Sequence, residues 1–302
     1  MTFSCVFLNC YNVFEAGSRR GPRTEARLQQ KIANLAATLR AANAEKPPDI
    51  IGLCEVASQT LVEQIAEAVS SNVYRTLWSG LPTSREGQDG GLAILYRPEI
   101  ITSAALEVDN NDPIQRPKWM AALFQLQVGT RGGFWFVANH WKSQMGGEEA
   151  TEPRRMGTAQ QIGEFYLNQA RINADGMILM GDFNCQPGDR PFRQQPLNRL
   201  RAVRERALVI RDRNRLAYFY NPMWRWLGEP EDFDATQRRG YVPSRLLGTH
   251  HGTPGWFLWD QILVTKPLIV GNLIHLQEET INVHQAQAQC SDHCAVSATF
   301  QC

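Results

Sequence analysis

The sequence predicts an α/β protein in which two sheets pack face to face with helices outside them. Two observations predict it. Short apolar runs rich in β-branched and aromatic residues alternate with amphipathic helical stretches from one end to the other. Strands are many and helices few, which two packed sheets accommodate better than one sheet covered by helices on both faces. No internal repeat, low-complexity tract or long linker interrupts this pattern, so residues 1–302 read as a single domain.

Phe3–Cys10 is a strand by its apolar and aromatic content. Thr24–Ala42 places Leu28, Ile32, Leu35 and Leu39 at helical spacing, with Thr24 as N-cap. Pro47-Pro48 closes that unit, and Asp49–Cys54 reads as a buried strand. Ser58 caps a second helix in which Leu61, Ile65 and Val69 share a face. Strands follow at Val73–Trp78, Leu92–Tyr96, Ala121–Val128 and Phe134–Asn139. Thr151 with Pro153 opens a third helix. Gly176 precedes the strand Met177–Met180, and Gln261–Val264, Leu273–Leu276 and Ala295–Phe300 are the last strands.

Hydrophobic residues at 43% and charged residues at 20% fit a globular protein large enough to bury a core without cross-links. The formal net charge of +1 announces no polyanionic partner. The N-terminal residues lack the basic segment and cleavage site of a signal peptide. No run approaches the roughly 18 apolar residues needed to span a bilayer. The seven cysteines (Cys5, Cys10, Cys54, Cys185, Cys290, Cys294 and Cys302) have neither disulfide-framework nor zinc-site spacing. These features lead us to expect a cytoplasmic monomer with no membrane contact and no obligate protein partner.

The chemistry gathers at strand ends, where a rigid scaffold can present polar side chains to a cleft. Asn9 ends the first strand, Glu55 follows the second, and His140 follows Phe134–Asn139. Asp182 and Asn184 follow Met177–Met180, Asp260 precedes Gln261–Val264, and Asp292-His293 precedes the last strand. Singly, each is an ordinary turn or cap residue. Together, in one order, they exceed what turn chemistry asks for.

The ordered set Leu8-Asn9-Cys10, Cys54-Glu55, Asn139-His140, Gly181-Asp182-Phe183-Asn184, Trp259-Asp260 and Ser291-Asp292-His293 resembles the endonuclease/exonuclease/phosphatase superfamily. The resemblance spans nearly the whole chain. It implies the deoxyribonuclease I-like fold, a four-layer α/β/β/α sandwich of two mainly antiparallel or mixed sheets with outer helices. It also implies divalent-metal-dependent hydrolysis of phosphoric esters, with Mg²⁺ the expected cofactor and Mn²⁺ a substitute. Carried across by residue, it makes Glu55 the carboxylate metal ligand, with the Asn9 amide oxygen beside it and Asp292 completing the shell. Asp182 would position or deprotonate the attacking water, and Asn184 would hold it or a phosphate oxygen. His293, its tautomer fixed by Asp260, would handle a second proton, and His140 would donate to a phosphate oxygen. Some base-repair members carry an acidic residue two positions after the first Asn. Here Tyr11 stands there, which weakens a reading as an abasic-site enzyme.

Lys142, in Asn139-His140-Trp141-Lys142-Ser143, and Arg154, beside Arg155 near a helix start, are candidate substrate contacts. Nine arginines between Arg190 and Arg215 read either as a phosphate-contacting strip or as a solvated face with internal ion pairs. The aromatics of Tyr218–Trp226 and Trp256–Trp259 read as core more than as a stacking platform. His250, His251 and the Ser84–Gly91 loop are rim candidates. A nuclease acting on DNA or RNA is the leading expectation. A phosphatase or phosphodiesterase on inositol phosphates, nucleotides or phospholipid head groups ranks below it, because Gln261 replaces the Arg of a Trp-x-x-Asp-Arg block. A binding protein that lost its chemistry would show eroded positions, and none is eroded.

Overall fold

In the computed structural model, strand β1 (Thr2–Val13) is the spine of one sheet, and its alternation explains the layering. Phe3, Cys5 and Phe7 enter the core between the sheets, while Val6, Leu8 and Cys10 face the outer helices. The structure describes residues 1–43, 46–80, 90–99, 101–108, 117–126, 133–193, 198–202, 204, 217–227, 248–252, 255–271, 273–287 and 290–302.

The first sheet adds β2 (Ile50–Val56), β3 (Arg75–Trp78), β4 (Gly91–Tyr96), β14 (His275–His284) and β15 (Ala295–Gln301), in the order β14-β15-β1-β2-β4-β3. The second comprises β5 (Ile101–Val108), β6 (Trp119–Leu126), β7 (Gly133–His140), β8 (Gly176–Asp182), β9 (Asn198–Ala202), β10 (Ala217–Tyr220) and β13 (Asp260–Thr265). Their order is β5-β6-β7-β8-β13-β10-β9. A small hairpin pairs β11 (His250–Gly252) with β12 (Gly255–Phe257).

Helices α1 (Glu25–Ala41) and α2 (Gln59–Val69) cover the first sheet, with Thr24 and Ser58 as N-caps accepting from Arg27 N and Leu61 N. Helix α3 (Glu148–Phe165) covers the second through Ile162 and Phe165. Between the sheets Phe3 stacks on Phe134 at 4.9 Å, and Phe124, Phe136, Ile178 and Ile262 fill the same layer. The predicted four-layer sandwich is the observed one. Among the described residues no helix is long and apolar enough to cross a membrane.

Several boundaries differ from the sequence reading. Helix α3 starts at Glu148 rather than at Thr151 and Pro153, because Gly147 at φ 103 ends the preceding loop there. Thr151 instead turns its hydroxyl back onto the Gly147 carbonyl at 2.8 Å, and Pro153 lies inside the helix. Strand β3 is two residues shorter at its start than Val73–Trp78, and β6 runs Trp119–Leu126, with Val128 outside the described residues. Strand β14 starts at His275 and runs well past Leu276, through an alternating stretch that has no continuous apolar run. Strand β5 and the strands β9 to β12 carried no sequence signal strong enough to be expected.

Candidate active site

The parallel pairs β1–β2 and β7–β8 end on the same side of the sandwich, and the antiparallel strands β13 and β15 begin there. Register then brings the predicted residues together. His140 and Asp260 lie opposite Asp182 on its two flanking strands, and Asn9 lies opposite Cys54, the neighbour of Glu55.

The local backbone is bent to suit. Among the described residues, Tyr11, Asn12, Glu55 and Asn184 have left-handed backbones with φ 47, 60, 63 and 50. Such conformations persist only where surrounding structure enforces them, and they gather at functional sites. At Glu55 the enforcement is a bulge in β2, backed by Gly90, where a Cβ would lie 2.4 Å from the Glu55 backbone.

The side chains form one connected cluster. Asn9 Nδ2 donates to Asp182 Oδ2 at 3.1 Å and to Glu55 Oε1 at 3.3 Å. His140 Nε2 stands 3.6 Å from Glu55 Oε1 and 3.7 Å from Asp182 Oδ2. His293 Nδ1 bonds Asp260 Oδ2 at 2.7 Å, leaving Nε2 to face Asp182 Oδ2 at 3.9 Å. Asn184 donates its backbone N–H to Asp182 Oδ1 at 2.9 Å and its Nδ2 to the Trp141 carbonyl at 3.3 Å. Asp292, more exposed, lies 3.6 Å from His250 Nε2 and 3.9 Å from His293 Nε2.

One expectation is corrected. The Asn9 amide oxygen was expected beside Glu55, but it accepts from Tyr11 N–H at 2.9 Å and the amide nitrogen faces the carboxylates. Of the two neighbouring arginines, Arg155 is buried at 1% exposure, and its guanidinium holds the Lys142 and Glu148 carbonyls at 3.1 and 3.0 Å. Arg154 lines the cleft, as Lys142 does.

Burial raises the Asp182 pKa and the neighbouring Asp260 adds to it, against His293, which lowers it. For His293 burial works against the charged form, but Asp260 and Asp182 outweigh it and push the pKa up to about 10. A raised histidine pKa stabilises the fold in full below 6.5 and loses that contribution as pH rises through about 10. The metal-free protein is therefore expected to lose stability across that window. Asp260→Asn should flatten the slope, as denaturant melts in EDTA would show; an unchanged slope would put the stabilising charge elsewhere.

The donor set suits a hard divalent cation. Two carboxylate oxygens, Glu55 Oε1 and Asp182 Oδ2, converge on the same imidazole nitrogen, and like charges that close are relieved by a cation. Asp260 Oδ1 is buried with no hydrogen-bond partner. The groups Asp182, Asp260, His293 and His250, Asp292, His293 each bring three ligand atoms within 4.8 Å of one another.

The cluster lines a cleft of about 980 Å³ together with Arg20, Lys118, Lys142, Arg154, Tyr11 and Trp259. His250 also lines it, stacked on Trp259 at 4.4 Å, whereas His251 is exposed and meets Trp256 edge-on. Phe219 and Tyr220 are core, as expected, but Trp259 belongs to the cleft. Sequence reasoning missed Arg20 and Lys118, which no motif marks, and the role of the Tyr11-Asn12 backbone. Arg190 and Arg204 pair with Glu152 and Glu278, while Arg206, Arg211, Arg213 and Arg215 lie outside the described residues, as does most of the Ser84–Gly91 loop.

A family profile described as Endonuclease/Exonuclease/phosphatase family matches residues 12–224. No curated protein sequence matches the chain. Solved structures do. Truncated Caenorhabditis elegans TDP2 is 14% identical, with 100% of this chain and 98% of that chain covered at a TM-score of 0.53. The human Nocturnin catalytic domain with bound sulfate anion is 13% identical, with coverage of 99% and 94% and a TM-score of 0.55. A mannosyl-6-phosphatase of Bacteroides thetaiotaomicron is 15% identical, with coverage of 99% and 100% and a TM-score of 0.55. At these identities the likeness is one of fold, and the family rests on the profile, which spans more than half of the sequence. The chain belongs to the Endonuclease/Exonuclease/phosphatase family, whose enzymes are phosphoric ester hydrolases and generally depend on a divalent metal.

Proposed function

We propose that the protein is a Mg²⁺-dependent phosphodiesterase that cleaves nucleic acid, working as one domain. The observation that carries this reading is that the acidic cluster and four cationic side chains line one and the same cleft. A phosphodiester chain needs its scissile phosphate at the cluster and its neighbouring phosphates met by cations on either side. Arg20, Lys118, Lys142 and Arg154 line the same cleft as the cluster and would supply such contacts.

In this reading Glu55 would hold the cation, with Asp292 completing its shell, and the bound cation would neutralise charge on the phosphoryl oxygens. Asp182, fixed by Asn184 N–H and Asn9 Nδ2, accepts the proton of the attacking water. His140 Nε2 donates to a non-bridging oxygen as charge builds. His293, held by Asp260 through Nδ1, is placed to give a proton to the departing oxygen from Nε2. Asp292 supports it from the outer side of the cleft.

Gln261 separates this reading from the inositol-phosphatase alternative. Its side chain is buried and donates to the Cys185 and Leu258 carbonyls at 2.6 and 3.0 Å, so it offers nothing to a phosphate.

Incubation with plasmid, single-stranded DNA, RNA and a panel of phosphomonoesters tests the proposal. With Mg²⁺ or Mn²⁺ we expect strand cleavage, abolished by EDTA. Phosphate release from the monoesters with every polymer left intact would replace the nuclease reading with a phosphatase one.

A further inference from the structure

Strand β1 breaks its register between Asn9 and Val13, and two of the three residues between them, Tyr11 and Asn12, are left-handed. Neither is glycine, so something outside the bulge must enforce it. The bulge has two sides. Its amides face the cleft, where Tyr11 N–H donates to Asn9 Oδ1 and Asn12 N–H to Glu55 Oε2, both at 2.9 Å. Its carbonyls face α1, where Lys31 Nζ donates to the Tyr11 carbonyl and, at 3.5 Å, to the Asn12 carbonyl. The same ammonium lies 5.3 Å from the centre of the Tyr11 ring, within reach of a cation–π attraction. Lys31 is half-buried and is not among the residues lining the cleft.

We infer that Lys31 is a positioning residue for hydrolysis: from behind the sheet its ammonium clamps the Tyr11-Asn12 bulge, whose amides hold Glu55 and the Asn9 side chain in their places in the acidic cluster. A lysine with three donors on a flexible stem suits two neighbouring carbonyls, and Lys31 reaches both. Groups that orient metal ligands from the next layer typically govern affinity or rate by about 10–100-fold. The inference rests on the reading that Asn9 and Glu55 belong to the hydrolytic site.

The test compares wild type with Lys31→Met, Lys31→Gln and Arg27→Met, the last an exposed cation on the same helix as control. Lys31→Met is expected to lower kcat about 10–100-fold and to raise the half-saturating Mg²⁺ concentration about 10-fold, with the substrate KM changed less than 2-fold. Lys31→Gln, which keeps a donor but no charge, should fall between, and Arg27→Met should match wild type. Adding Asn12→Gly to Lys31→Met should restore part of the lost rate, because glycine holds a positive φ without help. A merely structural lysine would not produce that rescue. Hydrogen exchange at the Tyr11 and Asn12 amides gives a readout that needs no substrate or metal, and it should quicken at least about 10-fold in both Lys31 variants.

Wild-type rate, metal dependence and amide exchange in Lys31→Met overturn the inference. If that variant does not fold, the same three results in Lys31→Gln overturn it. A wild-type protein that hydrolyses nothing sinks the functional reading instead, and the exchange rates then judge the clamp alone.

Discussion

The Asp182→Asn variant is expected to lose hydrolysis by about 10²–10⁴-fold, the usual worth of a positioned general base. The substitution keeps the size of the side chain and an oxygen for Asn184 N–H, but its new amide group meets the Asn9 Nδ2 donor, so Asn9 must turn its own amide over while the proton acceptor is gone. It also removes one of two carboxylates placed opposite each other on β8 and β13. Burial raises the Asp182 pKa, so its charged form costs the metal-free fold stability. The metal-free variant should therefore melt no lower than the wild type, and Mg²⁺ should raise its melting temperature less. Activity within 10-fold of wild type at unchanged Mg²⁺ would remove Asp182 from the proposed proton-accepting role, while a variant that unfolds would say that the carboxylate is structural.

Trp141→Ala should produce the largest loss of stability, about 3–5 kcal/mol, as expected for deleting a fully buried aromatic ring. The ring packs edge-on against Phe183 at 4.9 Å and lies 5.5 Å from Phe192, and its Nε1–H donates to Asn139 Oδ1 at 3.1 Å. Its backbone ties the cleft floor together, with N–H to the Asp182 carbonyl at 2.9 Å and its own carbonyl accepting from Asn184 Nδ2. A cavity under this segment loosens both partners, so kcat should fall along with the melting temperature, the latter by roughly 10 °C. Trp141→Phe keeps most of the packing and should recover much of the stability, while leaving Asn139 Oδ1 unpaired. Equal stability of the alanine variant and the wild type, measured by denaturant melts, would contradict this account.

Much of this architecture is legible in the sequence because local chemistry and the global fold agree there. Thr24 and Ser58 announce their helices with side chains that cap them, and Phe3 to Cys10 alternates faithfully between two buried faces. Strand-end Asp, Asn and His residues are conspicuous because apolar runs frame them. What escaped has equally physical reasons. Helix α3 begins at a glycine with no capping side chain, so nothing marks its start. The orientation of Asn9 depends on a bulge built from Tyr11 and Asn12, residues that carry no turn signature as strong as glycine. Arg154 and Arg155 are adjacent in sequence, and only the helix face decides that one lines the cleft and the other is buried against carbonyls.

Asn9 Nδ2 and His293 Nε2 stand 3.5 Å apart although 284 positions separate them along the chain. Closing so long a loop is entropically slow, and contacts of this kind dominate folding times in sheet-rich proteins. Catalytic competence should thus emerge late in refolding, after both helical layers have regained their circular dichroism. Recovered turnover then becomes a clock for the joining of the first and last strands, which ordinary spectroscopic probes would not single out.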